Sequence, residues 1–246
     1  MKKKLLILIC VLVFSLLITG CGKTVYSGTT ETKNQTTQTQ AKESKKQGET
    51  IVYKAKDTTP LLSIDDIKEK GKTKVDKNYQ EQDVKAGETV AILHTSMGDI
   101  SMKFFKDVAP IAVENFIQLA KAGRFDNTIF HRVINNFMIQ GGDYTNFNGT
   151  GGASAFGDEF DLEICENISN IEGSVAMANR GPGTNGSQFY INQVDNQYLD
   201  GNYTVFGQVY DGLEVVNDIA NVSTDSSDKP LQDVILFNID IEEYKD

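Results

Sequence analysis

The fold of this chain is decided by the stretch FHRVINNFMIQGGD at residues 130–143. The stretch sets Arg132 within a run of large apolar residues and brings Phe137, Met138 and Gln140 shortly afterwards, on a predicted second strand. A guanidinium beside an apolar pocket disfavours folding unless its N–H groups find acceptors. We therefore expect that Gln140 and backbone carbonyls, or a ligand, satisfy Arg132. An arginine that extends from a strand edge into water is the alternative.

A second stretch, GSVAMANRGPGTNGSQFYIN at residues 173–192, predicts a strand, a glycine-rich turn and another strand. Together the two stretches closely resemble the cyclophilin family of peptidyl-prolyl isomerases. The resemblance extends from about Thr89 to the C-terminus, and it includes PIAVENF at residues 110–116, LDG at residues 199–201 and VFG at residues 205–207. Several long motifs in one order are far more specific than a lone short glycine pattern.

The N-terminus carries the features of a bacterial export signal. Lysines at residues 2–4 precede an apolar run over residues 5–18 that is shorter than the roughly 20 residues a membrane-spanning helix needs. The run ends in ITGC, which resembles the bacterial lipobox, whose cysteine becomes the lipid-modified first residue. An ordinary signal peptide or an uncleaved anchor is the alternative. We expect a lipoprotein signal peptide over residues 1–20, lipidation of Cys21, and an extracytoplasmic protein anchored to the outer face of the cell membrane of a Gram-positive bacterium.

The cysteines and histidines restrict the chemistry further. Cys10 lies in the signal and Cys21 would carry lipid, so Cys165 has no cysteine left with which to form an internal disulfide. The only histidines are His94 and His131, and nothing in the sequence ties either to Cys165, so we predict an ordinary thiol there. No cysteine or histidine cluster has metal-ligand spacing, and we expect neither a metal nor a cofactor.

The charge of the chain bears on its partners. The formal net charge is −10, and the first 50 residues are net basic, so the remainder is strongly acidic. An acidic domain without a basic stripe is a poor nucleic-acid binder, and anionic lipid repels it. We expect no nucleic-acid partner, and membrane association through the Cys21 lipid alone. Residues 21–50, mostly Thr, Gln, Lys, Ser, Glu and Gly, cannot offset chain entropy and predict a flexible polar tether.

Residues 51–88 form an extension whose structure the sequence leaves open. The segment contains scattered apolar residues but lies outside the resemblance. SIDD at residues 63–66 resembles an N-cap with an acid three positions on, and Gly71 would end the resulting short helix. An element docked on the following domain and a disordered continuation of the tether both remain open, because the charges at residues 65–72 argue against deep burial.

The remaining residues, 89–246, predict one mainly β domain. Strands are predicted at residues 89–95, 100–105, 128–134, 137–140, 174–178, 188–192, 205–210 and 234–241, and helices at residues 110–123 and 213–220. Eight short strands and two helices without a repeat period indicate a single antiparallel domain. The resemblance implies that the strands close into an eight-stranded antiparallel cyclophilin-like barrel capped by the two α-helices.

The resemblance also implies that the domain is a peptidyl-prolyl isomerase. Rotation about the peptide bond before proline crosses a barrier of about 18–20 kcal/mol because it breaks amide resonance. Catalysis needs an apolar pocket for the proline ring and a donor that favours the twisted state, in which the nitrogen has a free lone pair. By the resemblance Arg132 is this donor, reaching the prolyl carbonyl and amide nitrogen, and Gln140 is the residue that orients it.

The resemblance assigns substrate-binding residues as well. Those that match the wall of the family's proline pocket are Phe137, Met138, Tyr190 and Leu199. Those that match positions holding the flanking peptide are Ala178, Asn179 and Gln188. Each group has a structural alternative, in which the apolar residues belong to the core and Gln188 satisfies a buried turn.

Two further features do not receive a catalytic role. For His131 we favour a structural role, because isomerisation needs no proton transfer and backbone groups readily satisfy a strand histidine. The glycines at residues 149, 151 and 152 are not followed by the Gly-Lys-Ser/Thr of a phosphate loop, so we predict turn glycines that shape one wall of the groove.

Several positions depart from the family pattern. Tyr198 precedes Leu199 where many eukaryotic cyclophilins have the tryptophan that supports cyclosporin binding, so we expect weak cyclosporin binding. Tyr203 stands where a pocket-lining histidine is frequent, Tyr190 where phenylalanine is usual, and Arg180 where a small residue is common. These changes leave the central arginine intact and bear on inhibitor sensitivity and sequence preference more than on activity.

The sequence is compatible with two functions. The first is a monomeric extracytoplasmic isomerase that speeds slow prolyl steps in proline-containing exported polypeptides. The second is a non-catalytic peptide-binding or holdase module with the same fold. A binding-only module has no need of Arg132 together with Gln140, so the sequence favours the enzyme.

Overall fold

A computed structural model describes residues 53–245 of the chain. These residues belong to one compact unit, Glu49–Asp246. The predicted signal peptide, the lipidation site at Cys21 and the polar tether lie outside the described residues. None of the helices within residues 53–245 is long and apolar enough to cross a membrane.

Nine antiparallel strands form a single curled sheet, on which two helices pack. The strands are β1 (Thr89–Thr95), β2 (Gly98–Phe104), β3 (Thr128–Ile129), β4 (Arg132–Ile134), β5 (Met138–Gly141), β6 (Ser174–Met177), β7 (Phe189–Asn192), β8 (Val205–Asp211) and β9 (Ile235–Glu243). Their order across the sheet is β3-β9-β1-β2-β8-β6-β7-β5-β4. The helices are α1 (Pro110–Lys121), which packs against β8 and β9, and α2 (Leu213–Ala220), which packs against β2, β4 and β5. The predicted mainly β class with two helices is confirmed.

The prediction of eight strands in a closed barrel is wrong in both respects, and one predicted strand accounts for the difference. Residues 128–134 are not one strand, because β3 ends at Ile129 and β4 begins at Arg132. β3 pairs with β9 while β4 pairs with β5, so the two halves lie at opposite edges of the sheet. Phe130 and His131, both buried, carry the chain between these edges. In the described part of the chain the sheet is therefore open. Its edge strands, β3 and β4, are connected through the covalent chain but do not pair with each other.

α1 supplies the centre of the hydrophobic core. Pro110 occupies its first turn, where the missing N–H needs no partner. The ring of Phe116 packs against those of Phe125, Phe189 and Phe206 at centroid distances of 5.2, 5.2 and 5.4 Å. All four rings are buried. The apolar face of α1 therefore packs against the sheet.

The extension contains a strap, which we define as residues 53–82, that lies along the body of the domain. Leu61 N donates to Ala155 O at 2.7 Å, and Lys72 N donates to Asp107 O at 2.7 Å. Of the two possibilities left open by the sequence, docking on the domain is the one that the structure describes.

The strap contains less helix than its sequence suggests. The predicted N-cap is present, because Ser63 and Asp66 form a capping box, but the helix is a single 3-10 turn, Ile64–Asp66. Gly71 does not end this turn. A Cβ at Gly71 would lie 2.1 Å from Val108 O, so glycine is required there for the close approach of the two backbones.

The first residues of the strap reach a loop near the groove described below. The ring of Tyr53 packs against that of Phe147 at 5.3 Å, and its hydroxyl donates to Asp233 Oδ2 at 2.7 Å. Lys56 Nζ donates to Gly123 O at 2.5 Å, just beyond the end of α1. The strap is therefore tied to the body at its very start as well as along its length.

Candidate active site

Three neighbouring strands bring the two predicted catalytic residues and one predicted substrate-binding residue into one row. The register pairs Arg132 on β4 with Gln140 on β5, and Gln140 with Tyr190 on β7. Directly paired residues of adjacent strands point to the same face of a sheet, so these three side chains share one face. Met138, two positions before Gln140 on β5, joins them there.

This face lines a groove with a volume of about 140 Å³. Four of its residues are polar or small, namely Arg132, Gln140, Ala178 and Asn179. The other five are large and apolar or aromatic, namely Phe137, Met138, Tyr190, Leu199 and Tyr203. Sequence reasoning named every one of them, and the structure brings them together. An apolar cavity of roughly 150 Å³ accommodates benzene, so a groove of this size has room for one small ring.

Two tyrosines close the apolar side of the groove. The rings of Tyr190 and Tyr203 meet edge to face, with centroids 5.6 Å apart and planes at 87°. The Tyr190 hydroxyl donates to Asn170 Oδ1 at 2.6 Å, so the oxygen that a phenylalanine would lack has a buried partner. Burial raises the pKa of Tyr190, which keeps the hydroxyl neutral and able to donate.

Tyr198 is one of the two predicted binding residues that do not line this groove. It precedes Leu199 in the 3-10 turn Gln197–Leu199, stacks on Phe137 and leaves 71% of its surface exposed. It therefore stands at the rim, where it can meet a ligand that extends beyond the groove.

Gln188 is the second predicted binding residue that does not line the groove, and its side chain is hydrogen-bonded to that of Gln140. Gln140 Nε2 donates to Gln188 Oε1 at 2.9 Å, and Gln188 Nε2 donates to the carbonyl oxygens of Gly149 and Gly151 at 2.9 and 2.7 Å. Gln188 thus engages the Nε2 donor of Gln140, while the strand register keeps Gln140 opposite Arg132. That Gln140 satisfies or orients the Arg132 guanidinium stays a prediction. The contacts of Gln188 are those of the structural alternative, a side chain that satisfies a buried turn.

A second cavity, of about 100 Å³, adjoins the groove and shares Gln140, Ala178 and Asn179 with it. The glycine-rich loop at residues 149–152 forms one of its walls, as the sequence predicts. An ion pair between Arg180 and Glu159 lies at the same cavity. A peptide that places a ring in the groove therefore has a continuous path into this second cavity.

Asp143 fixes the loop that forms this wall, and sequence reasoning did not single it out. Its side chain is 1% exposed and accepts hydrogen bonds of 2.9–3.2 Å from five backbone N–H groups. The donors are Thr145, Asn146, Asn148, Gly149 and Gly151. Burial works against the charge, but these hydrogen bonds outweigh it and lower the pKa of Asp143. An aspartate followed by Thr, Asn and Gly residues is a recognisable turn signal that could have identified it.

Comparison with known sequences identifies the family. The sequence profile described as "Cyclophilin type peptidyl-prolyl cis-trans isomerase/CLD" matches residues 90–241, which is more than half of the chain. The chain belongs to the cyclophilin family of peptidyl-prolyl cis-trans isomerases.

Individual proteins agree with this assignment. A Staphylococcus aureus (strain USA300) protein named "Putative peptidyl-prolyl cis-trans isomerase" is 41% identical over 196 residues, covering 68% of this chain and 99% of that protein. Peptidyl-prolyl cis-trans isomerase 9 of Schizosaccharomyces pombe is 49% identical over 152 residues, covering 61% of this chain and 25% of that protein. A cyclophilin type isomerase of Cryptosporidium parvum has two crystal structures, one in the presence of the dipeptide Ala-Pro. They align with TM-scores of 0.62 and 0.61 at 37% identity, covering 64% and 63% of this chain and 99% of that chain.

His131 of this cyclophilin is a buried and unpartnered histidine. It is 5% exposed and lies in the break between β3 and β4. Within residues 53–245 neither ring nitrogen has a hydrogen-bond partner, so the expectation that backbone groups satisfy it is wrong. The ring lies so close to Gly149 that a Cβ there would come within 2.9 Å of it. Burial lowers the pKa of His131 to about 4, and the ring is therefore neutral at pH 7.

Cys165 of this cyclophilin is a buried free thiol. Its Sγ donates to Glu166 O at 3.5 Å, and burial raises the pKa of the thiol, which is the opposite of nucleophile activation. Among residues 53–245 no group of three or more His, Cys, Asp or Glu side chains comes together in a way that could hold a metal ion.

Proposed function

We propose that this cyclophilin catalyses cis–trans rotation of Xaa-Pro bonds in exported polypeptides. The observation that carries the proposal is the row of Arg132, Gln140 and Tyr190 facing a groove with room for one small ring. The row places a cation with several donors beside an apolar space. An Xaa-Pro segment matches both features, since its ring is apolar and its carbonyl accepts hydrogen bonds. A relative whose structure was determined in the presence of Ala-Pro supports this choice of substrate.

The proposed mechanism is electrostatic. In the planar peptide the prolyl nitrogen shares its lone pair with the carbonyl, and twisting the bond leaves that pair on the nitrogen. The guanidinium of Arg132 donates to the prolyl carbonyl and to the twisted nitrogen, and a donor aimed at charge that develops during the reaction stabilises the transition state more than the ground state. Phe137, Met138 and Leu199 hold the ring while the preceding residue rotates. No proton is transferred, in keeping with a neutral His131.

The peptide on the N-terminal side of the proline passes Ala178 and Asn179 toward the second cavity. The side chain of Asn179 is already engaged, because its Nδ2 donates to Asn202 O at 3.0 Å and its Oδ1 accepts from Gly181 N at 3.0 Å. Asn179 therefore offers its backbone to the peptide. Tyr198 and Tyr203 contact residues on the other side of the proline.

The proposed location is the outer face of the cytoplasmic membrane of a Gram-positive bacterium. Its support is the signal at residues 1–20, which ends in the lipobox-like ITGC, followed by the polar tether at residues 21–50. A net charge of −10 opposes direct binding to anionic lipid, so the lipid on Cys21 provides the attachment. The clients are unfolded exported chains that carry slow prolyl bonds, and the protein acts on them as a monomer.

An exchange experiment tests the catalytic proposal. Cis–trans exchange of a short Ala-Pro peptide is measured by NMR with the mature chain carrying Cys21→Ala. We expect exchange to accelerate in proportion to protein concentration. Peptide binding, seen as shifted resonances of the groove residues, without any acceleration would favour the non-catalytic holdase instead.

A further inference from the structure

Among the residues that the structure describes, the carboxylate nearest to the Arg132 guanidinium comes from a loop far along the chain. Arg132 Nε lies 3.4 Å from Asp228 Oδ2, and the two side chains are 42% and 43% exposed. Asp228 belongs to the loop between α2 and β9, which contributes no residue to the groove. We infer that Asp228 is a positioning residue for Arg132, which holds the Nε end of the guanidinium and leaves its two Nη groups for the substrate.

The loop is built to hold this carboxylate in place. Asp228 has a φ of 63°, in the left-handed region, and its N–H donates to Asp225 O at 3.1 Å. Asp225 Oδ1 accepts from Ser227 N at 2.8 Å and from Lys229 N at 3.1 Å, which fixes the turn on both sides of Asp228. The backbone of Asp228 is thus held by its own turn, which fixes the point from which its side chain reaches Arg132.

The same loop is fastened to the strand that carries Arg132. Val133 follows Arg132 on β4, and its N–H donates to Asp228 O at 2.8 Å. Asp228 is therefore hydrogen-bonded to the strand through its backbone and contacts Arg132 through its side chain. The hydrogen bond ties the backbone of Asp228 to β4 next to Arg132. It therefore sets the distance between the two backbone positions from which the carboxylate and the guanidinium extend.

The arrangement affects the groove more than the stability of the fold. An ion pair of this exposure contributes little to folding. The guanidinium, however, is planar, so a contact at Nε sets the direction of its two Nη groups. Gln140 lies opposite Arg132 on β5 with its Nε2 engaged by Gln188, so Asp228 provides the charged contact that directs the guanidinium. Small errors in the placement of a catalytic donor lower the rate strongly.

The test combines Asp228→Asn with a direct observation of the arginine. Asparagine keeps the shape of the side chain and tolerates the left-handed backbone, so the turn is preserved. We expect kcat for an Ala-Pro peptide to fall by about fivefold to tenfold with KM within about twofold, as for a misplaced donor. The chain has three arginines, so the Arg132 Nε–H resonance is readily assigned. We expect this resonance to exchange faster with water in the variant.

Two controls make the result specific. Asp233→Asn removes a carboxylate charge from the same loop. Asp233 contacts Tyr53 and Lys229, so this variant should leave kcat and the Arg132 resonance unchanged. In an Arg132→Ala background, Asp228→Asn should cause no further loss of kcat. Should Asp228→Asn fail to fold, Asp228→Gly removes the carboxylate at a backbone conformation that glycine adopts freely, and the same measurements apply.

The outcomes separate this inference from the proposed function on which it rests. A wild-type protein without isomerase activity would overturn the proposed function, whereas the Arg132 resonance reports on the Asp228 contact independently of turnover. An active wild type whose folded Asp228→Asn variant has unchanged or increased kcat and an unchanged Arg132 resonance would overturn the positioning role alone. An equal loss in the Arg132→Ala background would also overturn it, because Asp228 would then act through some other group.

Discussion

The rings of Phe137 and Tyr198 stack at the rim of the groove, with centroids 6.3 Å apart and planes inclined by 19°. Phe137 is half-buried and lines the groove, whereas Tyr198 is largely exposed and does not. The two stacked rings therefore have separable functions, which variants at each position can distinguish.

Phe137→Ala should weaken substrate binding and leave the reacting bond in contact with the same donor. We expect KM to rise by about tenfold with little change in kcat, because the ring binds the substrate and the transition state equally well. The free energy of unfolding should fall by roughly 1–2 kcal/mol, less than the 3–5 kcal/mol typical of a fully buried phenylalanine. Denaturant unfolding of Phe189→Ala, which removes a fully buried ring, provides the comparison. A Phe137→Ala protein that lost kcat at constant KM would contradict this division of labour.

Cyclosporin should bind weakly, because tyrosine at position 198 offers a smaller ring than indole and a differently placed donor. We expect Tyr198→Trp to tighten binding by about tenfold, which corresponds to about 1.4 kcal/mol. Titration calorimetry measures the affinity. Tyr210→Trp, at an exposed tyrosine outside the groove, is the matched control and should have no effect. Nanomolar inhibition of the unaltered protein would show that the residue at 198 does not limit binding.

Arg132→Ala should abolish most of the catalysis and preserve the fold. A positioned donor is typically worth roughly 3–4 kcal/mol in the transition state, so kcat/KM should fall about a hundredfold to a thousandfold. Arg132→Lys should be intermediate, because lysine keeps the charge without the planar fork. Peptide exchange by NMR gives the rates, and circular dichroism confirms folding. Lys121→Ala, which removes an exposed cation from the last turn of α1 outside both cavities, is the control. A folded Arg132→Ala protein within threefold of wild type would exclude the mechanism.

His131 should make the protein less stable in mild acid. Its pKa is about 4 in the folded state against 6.5 for the free side chain, so the unfolded state binds more protons between these values. The free energy of unfolding should therefore fall as the pH drops below 6.5, by about 2–3 kcal/mol at pH 4. Denaturant unfolding of wild type and His131→Gln at several pH values isolates this contribution as a difference that grows toward low pH.

His94 is the matched control for this experiment. Burial disfavours its charged form, but hydrogen bonds to Asp99 and Asp240 outweigh burial and raise the pKa of His94. A raised pKa gives stability that is fully present at low pH and is lost as the pH rises, so His94→Gln should cost stability mainly in acid. The two histidine variants should thus change the pH profile in opposite directions, and parallel profiles would show that burial does not depress the pKa of His131.

Cys21→Ala should release the protein from the membrane. Stable anchoring needs more than one acyl chain, which a lipid-modified cysteine can provide. We expect the variant in the soluble extracytoplasmic fraction and the wild type in the membrane fraction. Cys165→Ala, which removes a buried thiol, should remain with the membrane. Equal membrane recovery of Cys21→Ala and wild type would exclude a lipid anchor.

The sequence predicted those features of the fold that depend on neighbouring residues. α2 has the predicted bounds, 213–220, and α1 begins at Pro110 as proline at a first turn indicates. The residues of the groove could be named from the family resemblance, and seven of the nine lie in the continuous motifs at residues 130–143 and 173–192, with Leu199 and Tyr203 after them. Each motif keeps its alternation within one hairpin, so the strand register aligns the side chains without information from the rest of the chain.

The features that the sequence did not reveal depend on distant contacts. The break at Phe130 and His131 follows from the positions of β9 and β5 at opposite parts of the sheet, which alternation within residues 128–134 cannot show. The acid beside Arg132 comes from a separate loop, whose left-handed turn places Asp228 only once the sheet has formed. A residue's chemical type predicts that it needs a partner, whereas the fold decides which partner it obtains.

The sequence separation between the strap and its partners bears on the order in which the protein folds. The partners come much later in the chain, since Gln80 bonds a residue 89 positions away, Lys74 one 92 positions away and Tyr53 one 180 positions away. A chain synthesised from its N-terminus delivers the strap before any of these partners exists. Contacts of such long separation form late, after the loops they join have been brought together by the sheet. We therefore expect the strap to dock last, and its undocking to free Phe147 from Tyr53 while the sheet, to which the strap contributes no strand, remains paired.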